Sequence, residues 1–328
     1  MYSPERRELV ERAFRGDPIG RPLVSLWRHW PEQDQDADAL AAAHVDFQRR
    51  YDFDFAKFTP SGTDCVEDWG VETRFSGDPH GTRDVLRRGV SQPADWERLP
   101  PLDFTRTKLG RHLGAIAALR RELGPDVPIL QTAFSPLTAA RKLAGDRVVD
   151  DLRTHPESFR RGLERIAADT LRYVDLSLDA GADGLFFATQ VATRDLLTDE
   201  EHRRWGVEYD RRLLEAARRR TGMTVLHAHG SNLIWEQLLD YPVPALNWHD
   251  RAVGPSLAEM KTRFSGLLVG GLDEWGCLLE GPPTAVRAQV EDAVAQAGDR
   301  NLCLAAGCVI GYRTPDRHIR AVRAAVKV

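Results

Sequence analysis

The chain has 328 residues, 42% of them hydrophobic and 29% charged, with a formal net charge of −4. That is enough apolar material for one large α/β domain. The charges are interleaved, without a basic stripe carrying aromatics, which argues against a nucleic-acid surface, and no apolar run is long enough to cross a bilayer.

The start, Met1-Tyr2-Ser3-Pro4-Glu5-Arg6-Arg7, reads as an N-terminal helical extension that is charged and amphipathic, not as a secretory leader. A cytoplasmic location is therefore expected. The four cysteines, Cys65, Cys277, Cys303 and Cys308, have no CxxC spacing and are expected to stay reduced. The basic run Arg218-Arg219-Arg220 suits a solvated helix C-terminus.

Eight short apolar runs follow the extension: 23–27, 53–58, 128–134, 184–189, 223–229, 245–249, 266–272 and 302–308. They are continuous rather than alternating, the pattern of strands buried on both faces. Amphipathic helices are predicted between them at 109–123, 156–181, 199–221 and 283–298. Ser158 and Thr198 suit N-caps, and Gly181 and Gly222 suit helix stops. Residues 64–101, with Trp69, Pro79, Gly81, Pro93 and Pro100, form an excursion after the second strand that reads as a small hairpin or lid.

Eight β/α units in this length predict a TIM (β/α)8 barrel. A doubly wound sheet would place a glycine-rich phosphate turn after its first strand, and Trp27-Arg28-His29-Trp30-Pro31 contains no glycine. With no Pro-, Gly- or Ser-rich linker, the whole of 1–328 is expected to be one domain.

A barrel carries its chemistry at the C-terminal ends of its strands. Here those ends hold Arg28, His29, Lys57, Gln131, Ser135, Gln190, His227, His229, His249, Asp250, Asp273 and Cys308. Inward polar groups are costly unless paired or bound. His227 and His229 are two apart on one strand and so share a face. If Cys308 closes on them, two nitrogens and one sulfur suit zinc, with a fourth position open to water or substrate. The blander reading is two core histidines and a buried cysteine. Similarly, His29 and His249 could be structural, Asp250 and Asp273 could cap helices, and Asp273 could instead bind substrate or orient an imidazole. Arg28 suits either a brace or a carboxylate fork.

Several motifs resemble the uroporphyrinogen decarboxylase superfamily. Gly270-Gly271-Leu272-Asp273 is similar to its G-N-L-D strand end, followed by Leu278-Leu279 and a helix opening at Pro282-Pro283. Leu304-Ala305-Ala306-Gly307-Cys308-Val309-Ile310, then Thr314-Pro315-Asp316-Arg317-His318-Ile319, is similar to its last strand and T-P-x-x-N-I helix start. Ala180-Gly181-Ala182-Asp183-Gly184 resembles an A-G-A-D-x strand entry, and Phe134-Ser135-Pro136-Leu137-Thr138 a P-x-T segment. The resemblance implies a TIM barrel.

Departures from the decarboxylase pattern are specific. Of the M-R-Q-A-G-R motif only Arg28 remains. Phe58-Thr59-Pro60 lacks the F-S-D aspartate, Arg141 stands near the tyrosine position, and Gly307-Cys308-Val309 replaces G-H-G. The zinc methyltransferase branch, with H-x-C on the fifth strand and a cysteine on the eighth, is closer to His227-Ala228-His229 and Cys308. This implies zinc on His227, His229 and Cys308 as the catalytic centre, with a net charge of +1. It also implies methyl transfer from a corrinoid, carried by a corrinoid protein, to a thiol. A small anionic substrate is expected to meet Arg28, His29, Lys57, Gln190, His249, Asp250 and Asp273. A decarboxylase of a carboxylated tetrapyrrole or other small acid, and a non-catalytic metal- or ligand-binding barrel, remain as alternatives; a homodimer is compatible with all three.

Overall fold

Burial on both faces decides where the strands form. In the computed structural model, which describes residues 4–298 and 301–326, the runs become β1 (Leu23–Val24), β2 (Ala56–Phe58), β5 (Ile129–Phe134), β6 (Gly184–Thr189), β7 (Met223–Ala228), β8 (Ala245–Trp248), β9 (Leu267–Leu272) and β10 (Leu302–Ala306). The excursion supplies an antiparallel hairpin, β3 (Glu72–Arg74) with β4 (Asp84–Arg87). Met1 to Ser3 and the expected domain limits at 1 and 328 lie outside the described residues.

The other eight strands are all parallel, in the order β1-β10-β9-β8-β7-β6-β5-β2. The two end strands are joined by Asp54 N donating to Val24 O at 2.9 Å and Ser25 Oγ donating to Phe55 O at 3.0 Å. Asp54, fully buried, also accepts from Val24 N and pairs with Arg21 at 2.6 Å, so its charge is satisfied where the barrel closes. The fold is a TIM barrel.

Inside it, Leu23, Phe55, Leu130, Phe186 and Val225 pack with Val10, Ala13 and Phe14 of the N-terminal helix Pro4–Arg15. That helix closes one end of the barrel interior. Full burial of each larger apolar side chain contributes about 1.5–3 kcal/mol.

Helices 109–123, 156–181 and 283–298 correspond to Lys108–Leu123, Pro156–Asp179 and Pro283–Ala297. Helix 199–221 does not run unbroken. A wider turn at Arg203–Val207 separates Asp199–His202 from Glu208–Arg218. The crowding of Gly206 against the His202 ring accompanies it, since a Cβ there would lie 2.6 Å from that ring. Thr198 is an N-cap, in a capping box with Glu201. Ser158 is not, because the helix opens earlier at Pro156; its hydroxyl donates to Glu97 instead. Among the described residues no helix is long and apolar enough to cross a membrane.

Candidate functional site

The strand ladders stop at Val24, Ala228, Trp248 and Ala306, one to three residues short of the expected ends. The site residues occupy the segments beyond. His229 N still donates to Thr189 O at 3.0 Å, which keeps the chain extended past β7 and leaves His227 and His229 on one face, ring centroids 5.7 Å apart. Cys308 reaches them because Gly307 lets the end of β10 approach the end of β8. A Cβ on Gly307 would meet His249 Cα at 2.8 Å and Trp248 O at 3.0 Å.

Cys308 Sγ lies 3.8 Å from His227 Nε2 and 3.8 Å from His229 Nδ1. One ligand atom from each of the three residues falls within 4.8 Å of the others. Two donors on one tetrahedral zinc stand about 3.3–3.6 Å apart at ordinary bond lengths, so the donor set suits that ion, and the side chains, the two rings above all, must close in to bind it. Burial pushes the Cys308 thiol up to about 11 and His229 down to about 4, and holds His227 well below the usual histidine range. Without a metal, the cluster at neutral pH is a thiol and two neutral rings.

A fourth ring stands beside them. His249 Nε2 is 3.1 Å from His229 Nδ1, and its other nitrogen, Nδ1, is 3.1 Å from Glu274 Oε1. The second Glu274 oxygen accepts from Gly307 N at 3.2 Å. An ionised carboxylate only accepts, so His249 carries a proton on Nδ1 and turns Nε2 toward the cluster.

His227 and Cys308 form one end of a cavity of about 200 Å3. Trp27, Phe134 and Phe186 give it flat apolar walls. His29, Lys57 and Gln190, all expected at the site, line it. His29 Nδ1 is 3.0 Å from Pro60 O, and burial lowers its pKa to about 4. Lys57 Nζ donates to Thr59 Oγ1 at 3.1 Å and sits 4.5 Å from the Phe186 ring centre; burial lowers its pKa to about 7. Lys142, from the helix Pro136–Ala144, enters from the side with its ammonium 4.7 Å from the Phe134 ring centre. Among the described residues neither lysine has a carboxylate within ion-pair distance, whereas Lys108, as buried as Lys57, pairs with Glu67 at 2.7 Å. Arg83, on the hairpin segment, also lines the cavity, but its charge is taken by Asp34 at 2.8 Å. The hairpin tip lies tight over His29: a Cβ on Gly81, at φ +76°, would meet His29 Cβ at 2.9 Å. A larger groove of about 420 Å3 lies between the helices Ala37–Tyr51 and Lys108–Leu123, but among the described residues no metal-ligating cluster converges on it.

Three expected substrate residues stand elsewhere. Arg28 turns away from the cavity, donates to Tyr312 O at 2.7 Å and lies 4.1 Å over the Trp30 ring. Its neighbour His29 takes the inward position, and adjacent residues of an extended chain face opposite ways. For the same reason Asp250, next to His249, is turned into the wall. There its buried carboxylate accepts from Gly271 N, and burial raises its pKa to about 6. Asp273 caps the turn that follows β9, accepting from Trp275 N and Gly276 N. Gln131 bonds Tyr173 on an outer helix, and Ser135 is fully buried at the start of another. Residues that the sequence reading missed are Asn247, Glu274, Lys142 and Arg83. Asn247 was detectable by alternation, two residues before His249; the others had no spacing signal.

The uroporphyrinogen decarboxylase (URO-D) family profile matches residues 6–328. Methylcobamide:CoM methyltransferase MtbA of Methanosarcina acetivorans is 23% identical over 332 residues, covering 97% of this chain and 96% of that protein. Methylcobamide:CoM methyltransferase MtaA of Methanosarcina barkeri is 27% identical over 239 residues, covering 72% and 67%. A methyltransferase from Methanosarcina mazei superposes with a TM-score of 0.85 at 22% identity, over 99% of this chain and 98% of the other, a likeness of fold. The chain belongs to the uroporphyrinogen decarboxylase family, as a methyltransferase-like member.

Proposed function

We propose that the chain, acting over 1–328 as one domain, transfers a methyl group from a corrinoid-borne donor to a small anionic thiol, with zinc held by His227, His229 and Cys308. The observation that carries this reading is the convergence of those three donors, two of which, His227 and Cys308, line a small cavity that also holds two lysines without carboxylate partners among the described residues. The names of the full-length relatives support the donor and acceptor classes. Zinc bound there would supply Lewis acidity that keeps the acceptor sulfur deprotonated at neutral pH.

The chain's own residues divide the remaining work. His227, His229 and Cys308 hold the metal, and His249 Nε2, beside His229 Nδ1, is close enough to serve as a further nitrogen donor. Lys57 and Lys142 attract the acceptor's anionic end. Trp27, Phe134 and Phe186 exclude water along its stem. In the transfer a sulfur lone pair forms the S–CH3 bond, the electron pair of the breaking bond stays with the donor, and the thiol proton leaves to solvent.

The direct test incubates zinc-loaded protein with methylcobalamin and 2-mercaptoethanesulfonate and follows loss of the methylcobalamin spectrum. Turnover that needs both zinc and the thiol supports the reading; zinc-loaded protein inert toward every small acidic thiol tried refutes it.

Metal binding should also release protons in a defined number. Both rings are already neutral at pH 7.5, while the Cys308 thiol, pushed up to about 11, must lose its proton. About one proton per zinc is expected, with affinity rising roughly tenfold per pH unit across neutrality. Calorimetric titration in buffers of different ionisation heat counts it, and a count of zero would remove Cys308 from the donor set.

The decarboxylase alternative fares poorly. Pockets for drug-sized ligands run to about 300–1,000 Å3, and the cavity of about 200 Å3 is small beside them; Thr59 and Pro60, which line it, stand where the decarboxylase pattern has its aspartate. No coproporphyrinogen is expected when the protein is incubated with uroporphyrinogen and the products are separated by chromatography.

A further inference from the structure

We propose that Asn247 is a positioning residue for the metal centre, fixing the proton of His227 on Nδ1 so that the lone pair of Nε2 is directed at Cys308. This builds on the metal reading above and adds a residue outside its donor set.

Asn247 is fully buried in β8, in register with His227 on β7. Its amide orientation is dictated by its surroundings. Nδ2 donates to Val269 O on β9 at 2.8 Å and to Ala306 O on β10 at 3.0 Å. Both partners are main-chain carbonyls, which only accept, so the NH2 group must face them and Oδ1 must face the other way. Oδ1 lies 2.6 Å from His227 Nδ1. A carbonyl oxygen cannot donate, so that ring nitrogen carries the proton. A neutral imidazole has a single N–H, which leaves Nε2 as a bare acceptor, 3.8 Å from Cys308 Sγ.

The same amide ties the two ends of the donor set together. Ala306, whose carbonyl it holds, is two residues before Cys308, while Oδ1 holds His227 on the far side of β8. One side chain therefore fixes both the tautomer of one donor and the strand end that presents another. Orienting partners of this kind typically change metal affinity by about 10- to 100-fold when removed.

The test uses the full chain, labelled with 15N in its histidine rings and measured first without metal. His227 should show Nδ1 protonated and Nε2 bare. Asn247→Leu, similar in volume but unable to accept, should let the Nε2–H tautomer appear and weaken zinc binding about 10- to 100-fold in competition with a chromophoric chelator. Asn247→Asp, which keeps an acceptor toward His227 but loses the amide's donations to Val269 O and Ala306 O, should hold the wild-type tautomer and recover part of the affinity lost in the leucine variant. That recovery separates positioning from bulk packing. A wild-type His227 protonated on Nε2, or an Asn247→Leu protein with unchanged tautomer and affinity, overturns the proposal. If the leucine variant does not fold, the wild-type and aspartate spectra decide it: loss of the Nδ1–H tautomer in Asn247→Asp counts against it. If wild-type protein binds no zinc, the functional reading fails, while the metal-free tautomer still tests Asn247.

Discussion

Cys308→Ser is expected to abolish tight zinc binding, lowering affinity well beyond the roughly 10- to 100-fold typical of losing an outer partner. The substitution changes one atom at a half-buried position, so little packing is lost. What goes is the only anionic donor of the set: serine has no thiolate to offer, and two neutral imidazoles remain. Cys303→Ser is the matched control. Cys303 is fully buried in the barrel interior beside Leu23 and Val225, away from the cavity, and its substitution should leave zinc affinity unchanged. Metal content after gel filtration and chelator competition measure both. Equal zinc affinity in wild type and Cys308→Ser would mean that the three converging residues are a buried polar cluster and not a metal site.

How far such a site can be read from sequence depends on which geometry is local. The eight strands were legible because burial on both faces writes itself as continuous apolar runs. The His227–His229 pair was legible because two residues apart on an extended chain means one face, whatever the rest of the fold does. The same rule cuts the other way at neighbouring residues. Of Arg28 and His29, His249 and Asp250, and Asp273 and Glu274, only one of each pair can turn toward the cavity side. His29 lines the cavity, and His249 and Glu274 turn toward the His–Cys cluster beside it. Nothing in the linear sequence makes that choice, because it depends on the angle at which each chain leaves its ladder. Lys142 was beyond reach for another reason. It belongs to a helix that would ordinarily face outward, and only its long stem brings the ammonium to the cavity.

The correction at Arg28 moves the expected anion anchor to Lys57, and this changes the predicted behaviour of two substitutions in opposite directions. Lys57→Met should raise the acceptor's KM about ten- to hundredfold, the equivalent of losing a charge-assisted contact worth roughly 1.5–3 kcal/mol. Arg28→Ala should leave that KM unchanged and lower thermal stability, since it removes a stacked guanidinium and its bond to Tyr312. Lys57→Met should also stabilise the fold. A buried ammonium with no carboxylate partner opposes folding, and its pKa in the folded chain is about 7 against an ordinary 10.5. Below about pH 7 the lysine is charged in both folded and unfolded chains, and its cost to folding is present in full. Between about 7 and 10.5 the unfolded chain binds the extra proton, so wild-type stability rises with pH through that window. The methionine variant lacks this slope, and its advantage should shrink as pH rises. Binding of an anion should follow the opposite course, weakening as pH climbs past about 7 and Lys57 loses its charge. Steady-state kinetics and denaturant unfolding at several pH values measure both trends. A Lys57→Met protein that is less stable than wild type at pH 6 and unchanged in KM would show that Lys57 braces the barrel mouth and that the acceptor's charge is met elsewhere.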